Sequence, residues 1–504
     1  MGLGITLIAL CGLSTIGGSD PIFPAKEWPR SSPSEQGIDS ARLTTMVESL
    51  IDKNPGIHSL MVVRHGHVVL DVTFYPFSVG SKHDIASCTK TVTAMTLGTV
   101  IDRGLLAGVD ARLVDSFPRR TILQLDDRKR SIRLADVLTM RSGLGFYQQA
   151  LSQLQMFQSP DWVQYCLNVK AARPPGEAFE YFNGNPHLLS AVITEATGKP
   201  ADEVAKEGIF GPLGVDDLAW PRDPQGISWG WGDLRLTSEA MARLGLLVLH
   251  HGRWANKQIL SEKWINEMTM PHVETTGNKR LPHYGYQIWL ADDLIAFQGR
   301  GGQRIWIDRA RDLIVVTTAG ASRAQQKQID DLWDKDIVPA VLETPRSESP
   351  DEQKKRGQAI QRAAQPPQKR PIAPMPVIAE QIDGVRYRMG ANPYAEAIRL
   401  SFINSNEARI QLELPRIHRQ GNLDLTIGLD GVPRLSPARY GEPAASVGQW
   451  NGNTFEIDFD EIGNINHWTI KLTFERDTVK LDMREGTELP PIRTTGKRET
   501  PVAP

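Results

Sequence analysis

Between Asp84 and Val100 the chain reads DIASCTKTVTAMTLGTV. Val92, Met95, Leu97, Val100 and Ile101 recur at helical spacing and Gly104 closes the run, so the segment predicts a helix entered near Ser87. Ser87 and Lys90 are three apart, so both side chains leave one face of that helix. The hydroxyl then sits at the end where the helix dipole favours developing negative charge. A serine hydroxyl is a weak nucleophile until a base takes its proton, and a desolvated lysine with a lowered pKa is such a base. The same tetrapeptide also arises by chance, with the serine as an N-cap and the lysine in solvent, so the pair needs partners elsewhere in the chain.

Two segments offer them. Phe179–Leu189, FEYFNGNPHLL, follows Pro174-Pro175-Gly176-Glu177 and places Tyr181 and Asn183 two apart in an extended stretch, on the same side of the backbone. A tyrosine there shares a proton with the lysine and the serine, and an amide holds a substrate carbonyl or the lysine ammonium. Phe297–Gln303, FQGRGGQ, carries Gly299, Gly301 and Gly302, which let a strand edge approach a ligand closely. A backbone N–H in that loop completes an oxyanion hole with the N–H of Ser87. Each segment alone also reads as a turn.

A competing nucleophile is Ser228 in Gly226-Ile227-Ser228-Trp229-Gly230, which matches the G-x-S-x-G elbow. It lacks the apolar strand before it and the helix after it that the elbow requires, and reads as a glycine-rich loop lining the pocket with Trp229 and Trp231. His65 and His67 flank a hairpin glycine, His250-His251 end a helix and His83 precedes the serine helix. No carboxylate or cysteine falls at ligand spacing from them, so they read as surface or capping histidines, with no metal and no cofactor expected. Cys11, Cys88 and Cys166 are too few and too scattered for a disulfide framework, and Cys88 is expected to pack inward.

The 504 residues carry 57 basic and 59 acidic side chains, a net charge of −2, so the basic surplus of nucleic-acid binders is absent. Residues 1–19 hold no charged side chain, and the apolar run Leu3–Leu13 is followed by small residues. This predicts an export signal and a periplasmic or secreted location, a cytoplasmic one being the alternative. No later stretch reaches the ~18 uninterrupted apolar residues of a membrane span. Residues 344–377 are rich in proline and charge and read as a linker, with a short exposed helix over Asp351–Ala364. They separate a domain at 20–343 from one at 378–504. In the first, Ser59–Val63 and His67–Val72 around Gly66 predict a hairpin, Leu313–Thr318 a further strand and Met241–Leu249 a further helix. This is an α/β (α+β) pattern, with one antiparallel sheet whose first and last strands are neighbours and whose faces are covered by helices. In the second, Ala408, Ile410 and Leu412, then Trp468, Ile470, Leu472 and Phe474, alternate with polar residues around turns such as Asn451-Gly452, an all-β signature.

The Ser87, Tyr181 and Gly299 segments, in this order and about 90 and 120 residues apart, resemble the serine hydrolases of the class C β-lactamase and penicillin-binding type. That group includes the family VIII esterases and the 6-aminohexanoate-dimer hydrolases. The likeness runs from about Ile57 to Gly320. Besides Ser87-Cys88-Thr89-Lys90, Tyr181-Phe182-Asn183 and Gly299–Gln303, it takes in Ile132–Leu144, Leu236-Thr237 to Gly245, and Tyr284-Gly285-Tyr286. The resemblance implies a β-lactamase-like sheet flanked by helices, and a C-terminal domain like the lipocalin-like barrel or sandwich attached to some relatives. It also implies Ser87 as the acylated nucleophile, Lys90 and Tyr181 as proton-transfer partners and Asn183 as a positioning residue. The backbone N–H groups of Ser87 and Arg300 would be the oxyanion donors.

The third motif departs from the β-lactamase pattern. The lysine or histidine that usually opens it, and helps bind a substrate carboxylate, is replaced by Gln298-Gly299-Arg300-Gly301, a form closer to the aminohexanoate-dimer hydrolase and esterase branch. That argues against efficient hydrolysis of carboxylate-bearing β-lactams, with Arg300 the cation that would have to substitute. The reading is therefore a serine hydrolase acting through an acyl-enzyme on small esters or amides. A β-lactamase or D-amino-acid peptidase is the alternative within the class. A weakly catalytic envelope protein that binds peptidoglycan-like ligands is the alternative outside it. The partner is a small-molecule substrate, and the oligomeric state is open.

Overall fold

The computed structural model describes residues 21–145, 149–392, 395–415, 422–438, 441–475, 477–487 and 491–499; the expected export signal and Cys11 lie outside them. Helix α1 (Ser40–Lys53) starts on Asp39, whose carboxylate accepts the N–H groups of Ala41 and Arg42. The two apolar runs around Gly66 pair as an antiparallel hairpin, β1 (Ile57–Arg64) and β2 (His67–Thr73). β1 is buried along its whole length, which explains the unbroken apolar run Leu60–Val63 at its centre rather than an alternating pattern.

After the short strand β3 (His83–Asp84) comes helix α2 (Cys88–Asp102), and then α3 (Gly184–Thr197). Strand β4 (Arg235–Leu236) pairs with β3 and leads into α4 (Ser238–Leu249), whose Thr237 cap accepts the Ala240 N–H. Six strands follow: β5 (Val273–Glu274), β6 (His283–Tyr284), β7 (Trp289–Ala291), β8 (Leu294–Gly299), β9 (Gln303–Asp308) and β10 (Leu313–Ala319). They complete one antiparallel sheet in the order β2-β1-β10-β9-β8-β7-β6-β5, so the first and last strands are neighbours as the sequence predicts.

Period two divides the sheet between two cores. Ile305, Ile307, Ile314 and Val316 face the cluster built with α2, α3 and α4. Trp306, Leu313 and Val315 face the opposite cluster, built with α1, α5 (Arg323–Leu332) and α6 (Pro350–Ala363). Helix α6 lies in the proline- and charge-rich stretch. It docks through the small residues Ala359 and Ala363 and an Arg362–Asp52 ion pair at 2.6 Å, which binds it to α1.

The C-terminal strands are β11 (Arg386–Met389), β12 (Ala397–Asn404), β13 (Glu407–Glu413), β14 (Leu423–Gly428), β15 (Arg434–Pro437), β16 (Pro443–Asn451), β17 (Thr454–Glu461), β18 (His467–Glu475), β19 (Thr478–Glu485) and β20 (Ile492–Arg498). They run in the order β14-β13-β12-β11-β20-β19-β18-β17-β16, and a parallel pairing of Gly428 with Val447 joins β14 to β16. The result is a nine-stranded closed barrel with β15 laid along β16, which decides between the barrel and the sandwich. Closure removes the exposed strand edges that an open sheet would present. Trp468, Ile470, Leu472 and Phe474 alternate into its interior. No helix among the described residues is long and apolar enough to cross a membrane.

The barrel touches the first domain through the loop between β17 and β18. The Gly463 carbonyl accepts the Asp84 N–H at 2.8 Å and an Arg235 guanidinium N–H at 3.1 Å, so the loop continues the β3–β4 ladder. Gly463 has φ 77°, and a Cβ on it would stand 2.3 Å from the Lys82 carbonyl. Gly463→Ala should therefore cost about 1–3 kcal/mol of stability, read as a lower Tm by calorimetry, whereas an unchanged Tm would mean that this junction carries no load.

Candidate active site

The β3–β4 ladder delivers the chain to a strained turn. Ala86 has φ 47°, in the left-handed region that non-glycine residues seldom occupy, and its N–H donates to Asp84 Oδ1 at 2.7 Å. The turn sets Ser87 at the mouth of α2, where the side chain makes no capping bond to the helix and is left for other partners. Lys90, one turn on, is 1% exposed; its Nζ lies 2.7 Å from Ser87 Oγ and donates to the Trp231 carbonyl at 2.8 Å. Burial lowers the pKa of this amine from the ordinary 10.5 to about 7, against smaller opposing influences of Cys88 and Asp233.

Tyr181 completes the group. Its hydroxyl is hydrogen-bonded to the Ser87 side chain, and its ring centroid lies 5.0 Å from Lys90 Nζ. Burial raises its pKa, so the phenol keeps its proton across the neutral range. The ring is held by Trp289 at 5.9 Å in a stacked arrangement, and Trp289 in turn meets Tyr284 edge-on at 5.0 Å. Asn183 precedes α3; its Nδ2 donates to Gln153 Oε1 at 3.1 Å, while its buried Oδ1 has no hydrogen-bond partner among the described residues.

The third motif lies against the turn that carries Ser87. A Cβ on Gly299 would be 2.6 Å from the Ile85 carbonyl and 3.1 Å from the Ala86 Cβ, so only glycine lets β8 end this close to Ser87. Gly301 and Gly302 turn the chain with φ of 80° and 96°. Gln303 is fully buried and serves the frame: its Nε2 donates to the Arg300 and Ala319 carbonyls at 3.2 and 2.5 Å, and its Oε1 accepts the Ala319 N–H at 3.2 Å. The Arg300 guanidinium turns to the barrel, where it meets Thr487 and Glu485.

The structure thus brings Ser87, Lys90 and Tyr181 together and sets the Gly299–Gly302 loop beside them. Ser228 is buried elsewhere, its hydroxyl donating to Asp202 Oδ1 at 2.7 Å and accepting the Asp202 N–H at 3.0 Å, an arrangement that shapes a loop. Cys88 is buried as expected.

His83 departs from its expected surface or capping role. It is buried, with Nδ1 donating to the Asp84 carbonyl at 2.8 Å and Nε2 2.9 Å from His58 Nδ1, and burial depresses its pKa to about 4. Sequence reasoning also missed the Trp231 carbonyl on Lys90 and the Asp84 carboxylate under Ala86. The latter is an Asx-type bond to the N–H two residues on, a pattern readable from an aspartate at that offset. Among the described residues no group of three or more His, Cys, Asp or Glu side chains is placed to hold a metal ion.

The base form of Lys90 is the free amine, so an activity that uses it as the base should rise as pH passes through about 7, measured as kcat/KM against pH; a rise centred near 4 or near 10 would assign the base elsewhere. Between about 7 and 10.5 the unfolded chain holds a proton that the folded chain has lost, so folded stability contributed by this group rises with pH across that window. Lys90→Met should raise Tm, by more at pH 6 than at pH 9, in paired thermal melts.

The Beta-lactamase family model matches residues 45–337. A D-aminopeptidase of Cereibacter sphaeroides is 29% identical over 147 residues, covering 28% of this chain and 27% of that protein, so the chain spans about a quarter of the length of this curated relative. A 6-aminohexanoate-dimer hydrolase of Paenarthrobacter ureafaciens is 19% identical over 323 residues, covering 58% of this chain and 82% of that one. A solved Bacillus anthracis structure with a provisional 6-aminohexanoate-dimer hydrolase assignment shares the fold at TM-score 0.52 and 19% identity, over 63% of this chain and 89% of that chain. Matched over more than half of its length, in the domain that carries Ser87 and the buried Lys90, the protein belongs to the Beta-lactamase family.

Proposed function

We propose that the protein is a serine hydrolase that forms an acyl-enzyme on Ser87 and acts on small carboxylic esters or amides. The observation that carries this reading is the buried Lys90 amine, 2.7 Å from Ser87 Oγ and with its pKa lowered to about 7. In its neutral form the amine takes the hydroxyl proton as Oγ attacks the substrate carbonyl carbon. The carbonyl π pair moves to oxygen, which the N–H groups of Ser87 and Arg300 stabilise. The intermediate then collapses: the C–O or C–N bond breaks, and the leaving group takes a proton from the Tyr181 hydroxyl, which Lys90 refills. Water attacks the ester of Ser87, gives its proton back through the same pair, and the acid departs.

The unpartnered Asn183 Oδ1 supports amide recognition, because a buried acceptor left without a donor is costly and a substrate N–H satisfies it. Relatives named as a D-aminopeptidase and a dimer hydrolase lend the same support. The test is burst kinetics with a short p-nitrophenyl ester, followed by intact mass and peptide mapping. A stoichiometric burst and an acyl adduct on the Ser87 peptide, both lost in Ser87→Ala, are expected. Tyr181→Phe should keep the fold and slow turnover by ~10²–10⁴. A Ser87→Ala variant with full ester hydrolysis would overturn the assignment, and a wild-type chain with no adduct would favour a binding protein. A penicillin adduct on Ser87 would add the β-lactam or D-peptide branch.

A further inference from the structure

Arg300 is the cation of the third motif, and what it touches decides whether a substrate can use its charge. Its side chain is 34% exposed, so it is partly open to solvent and not within the core. One guanidinium nitrogen, Nη1, donates to Thr487 Oγ1 and lies 3.6 Å from Glu485 Oε2. Both partners belong to the barrel, at and just beyond the end of β19.

The Glu485 carboxylate is held for this purpose. Its side chain is 0% exposed; Oε1 accepts the Asn466 Nδ2–H at 2.9 Å and the Thr487 hydroxyl at 2.6 Å, and Oε2 accepts the Thr487 N–H at 3.0 Å. Because the Thr487 hydroxyl donates to Glu485, its lone pair is turned to Arg300. The two barrel residues therefore form one acceptor for the guanidinium. A carboxylate so deeply buried needs a cation, and Arg300 supplies it. Asp233, the other carboxyl within electrostatic reach of Arg300, is pushed well above the usual carboxylate range by burial and by Asp84, which makes it a weaker partner for the guanidinium.

We propose that Glu485, with Thr487, is a specificity-determining pair in the barrel: it neutralises Arg300 and so sets the Ser87 site to take uncharged acyl groups and to refuse substrates that bear a carboxylate. The inference rests on the reading of Ser87 as the acylated residue. A paired guanidinium offers a substrate anion no net charge, and a second carboxylate beside it meets the field of Glu485. The substrate class is accordingly neutral esters and amides, and the accessory domain takes part in choosing it.

The test compares two esters of one leaving group, p-nitrophenyl butyrate and p-nitrophenyl hemisuccinate, by the ratio of their kcat/KM values. Glu485→Gln frees the arginine and should raise the hemisuccinate-to-butyrate ratio about tenfold, the scale of one hydrogen bond to a charged group. The gain should shrink in 0.5 M salt and vanish in the Arg300→Gln/Glu485→Gln double variant. If Glu485→Gln does not fold, Thr487→Val removes one of the two acceptors and should move the ratio the same way by a smaller factor. An unchanged ratio in either folded variant that still acylates with butyrate overturns the proposal. A wild-type chain that fails to acylate with butyrate overturns the Ser87 reading instead.

Discussion

A lysine amine sealed from water against a serine hydroxyl is the interaction on which this structure depends. Lys90 is buried because α2 is: thirteen of its fifteen residues, Cys88 to Val100, are buried, so the helix runs through the domain core and not across its surface. That placement makes the ammonium form costly and leaves a free amine 2.7 Å from Ser87 Oγ. Much of the surrounding chemistry serves this. The Trp231 carbonyl orients the amine, Tyr181 covers it, and Trp289 with Tyr284 braces the tyrosine. The fold thereby accepts instability at one residue for reactivity at its neighbour.

The barrel belongs to the same frame. Gly463 extends the β3–β4 ladder that leads into the strained Ala86, and Ile465 packs against Gly301 and Gly320, on either side of the sheet end that carries the third motif. Arg300 reaches across to Glu485 and Thr487. The nucleophile's turn and the candidate oxyanion loop are thus both held from the accessory domain. This argues that the two parts work as one unit and not as an enzyme with a detachable binding module.

Local patterns carried much of this architecture into the sequence. The i, i+3 spacing of Ser87 and Lys90, the hairpin around Gly66 and the alternation from Trp468 to Phe474 are each fixed by the period of one element. The adjacency of β1 and β10 followed from strands at both ends of the domain with helices between, and the grouping of Tyr181 with Ser87 was suggested by their chemistry and sharpened by the family resemblance, because no local period relates residues so far apart. What escaped was set by burial from a distant segment. His83 reads as a surface histidine until the barrel loop and His58 cover it. Closure of the barrel at Gly428 and Val447 is a single non-local pairing with no mark in either strand. Helix α6 docks on two alanines amid charged residues, too thin a stripe to announce a contact.

The central claim concerns one proton, and it is measured most directly by titrating the lysine side chains of the folded chain labelled with ¹³C at Cε. The Lys90 signal is assigned by its absence from Lys90→Met. The account predicts a midpoint near pH 7 for this lysine while the others titrate in the ordinary range. A Lys90 midpoint close to the ordinary 10.5 would mean that the amine is an ammonium at neutral pH, and that it cannot be the base that activates Ser87.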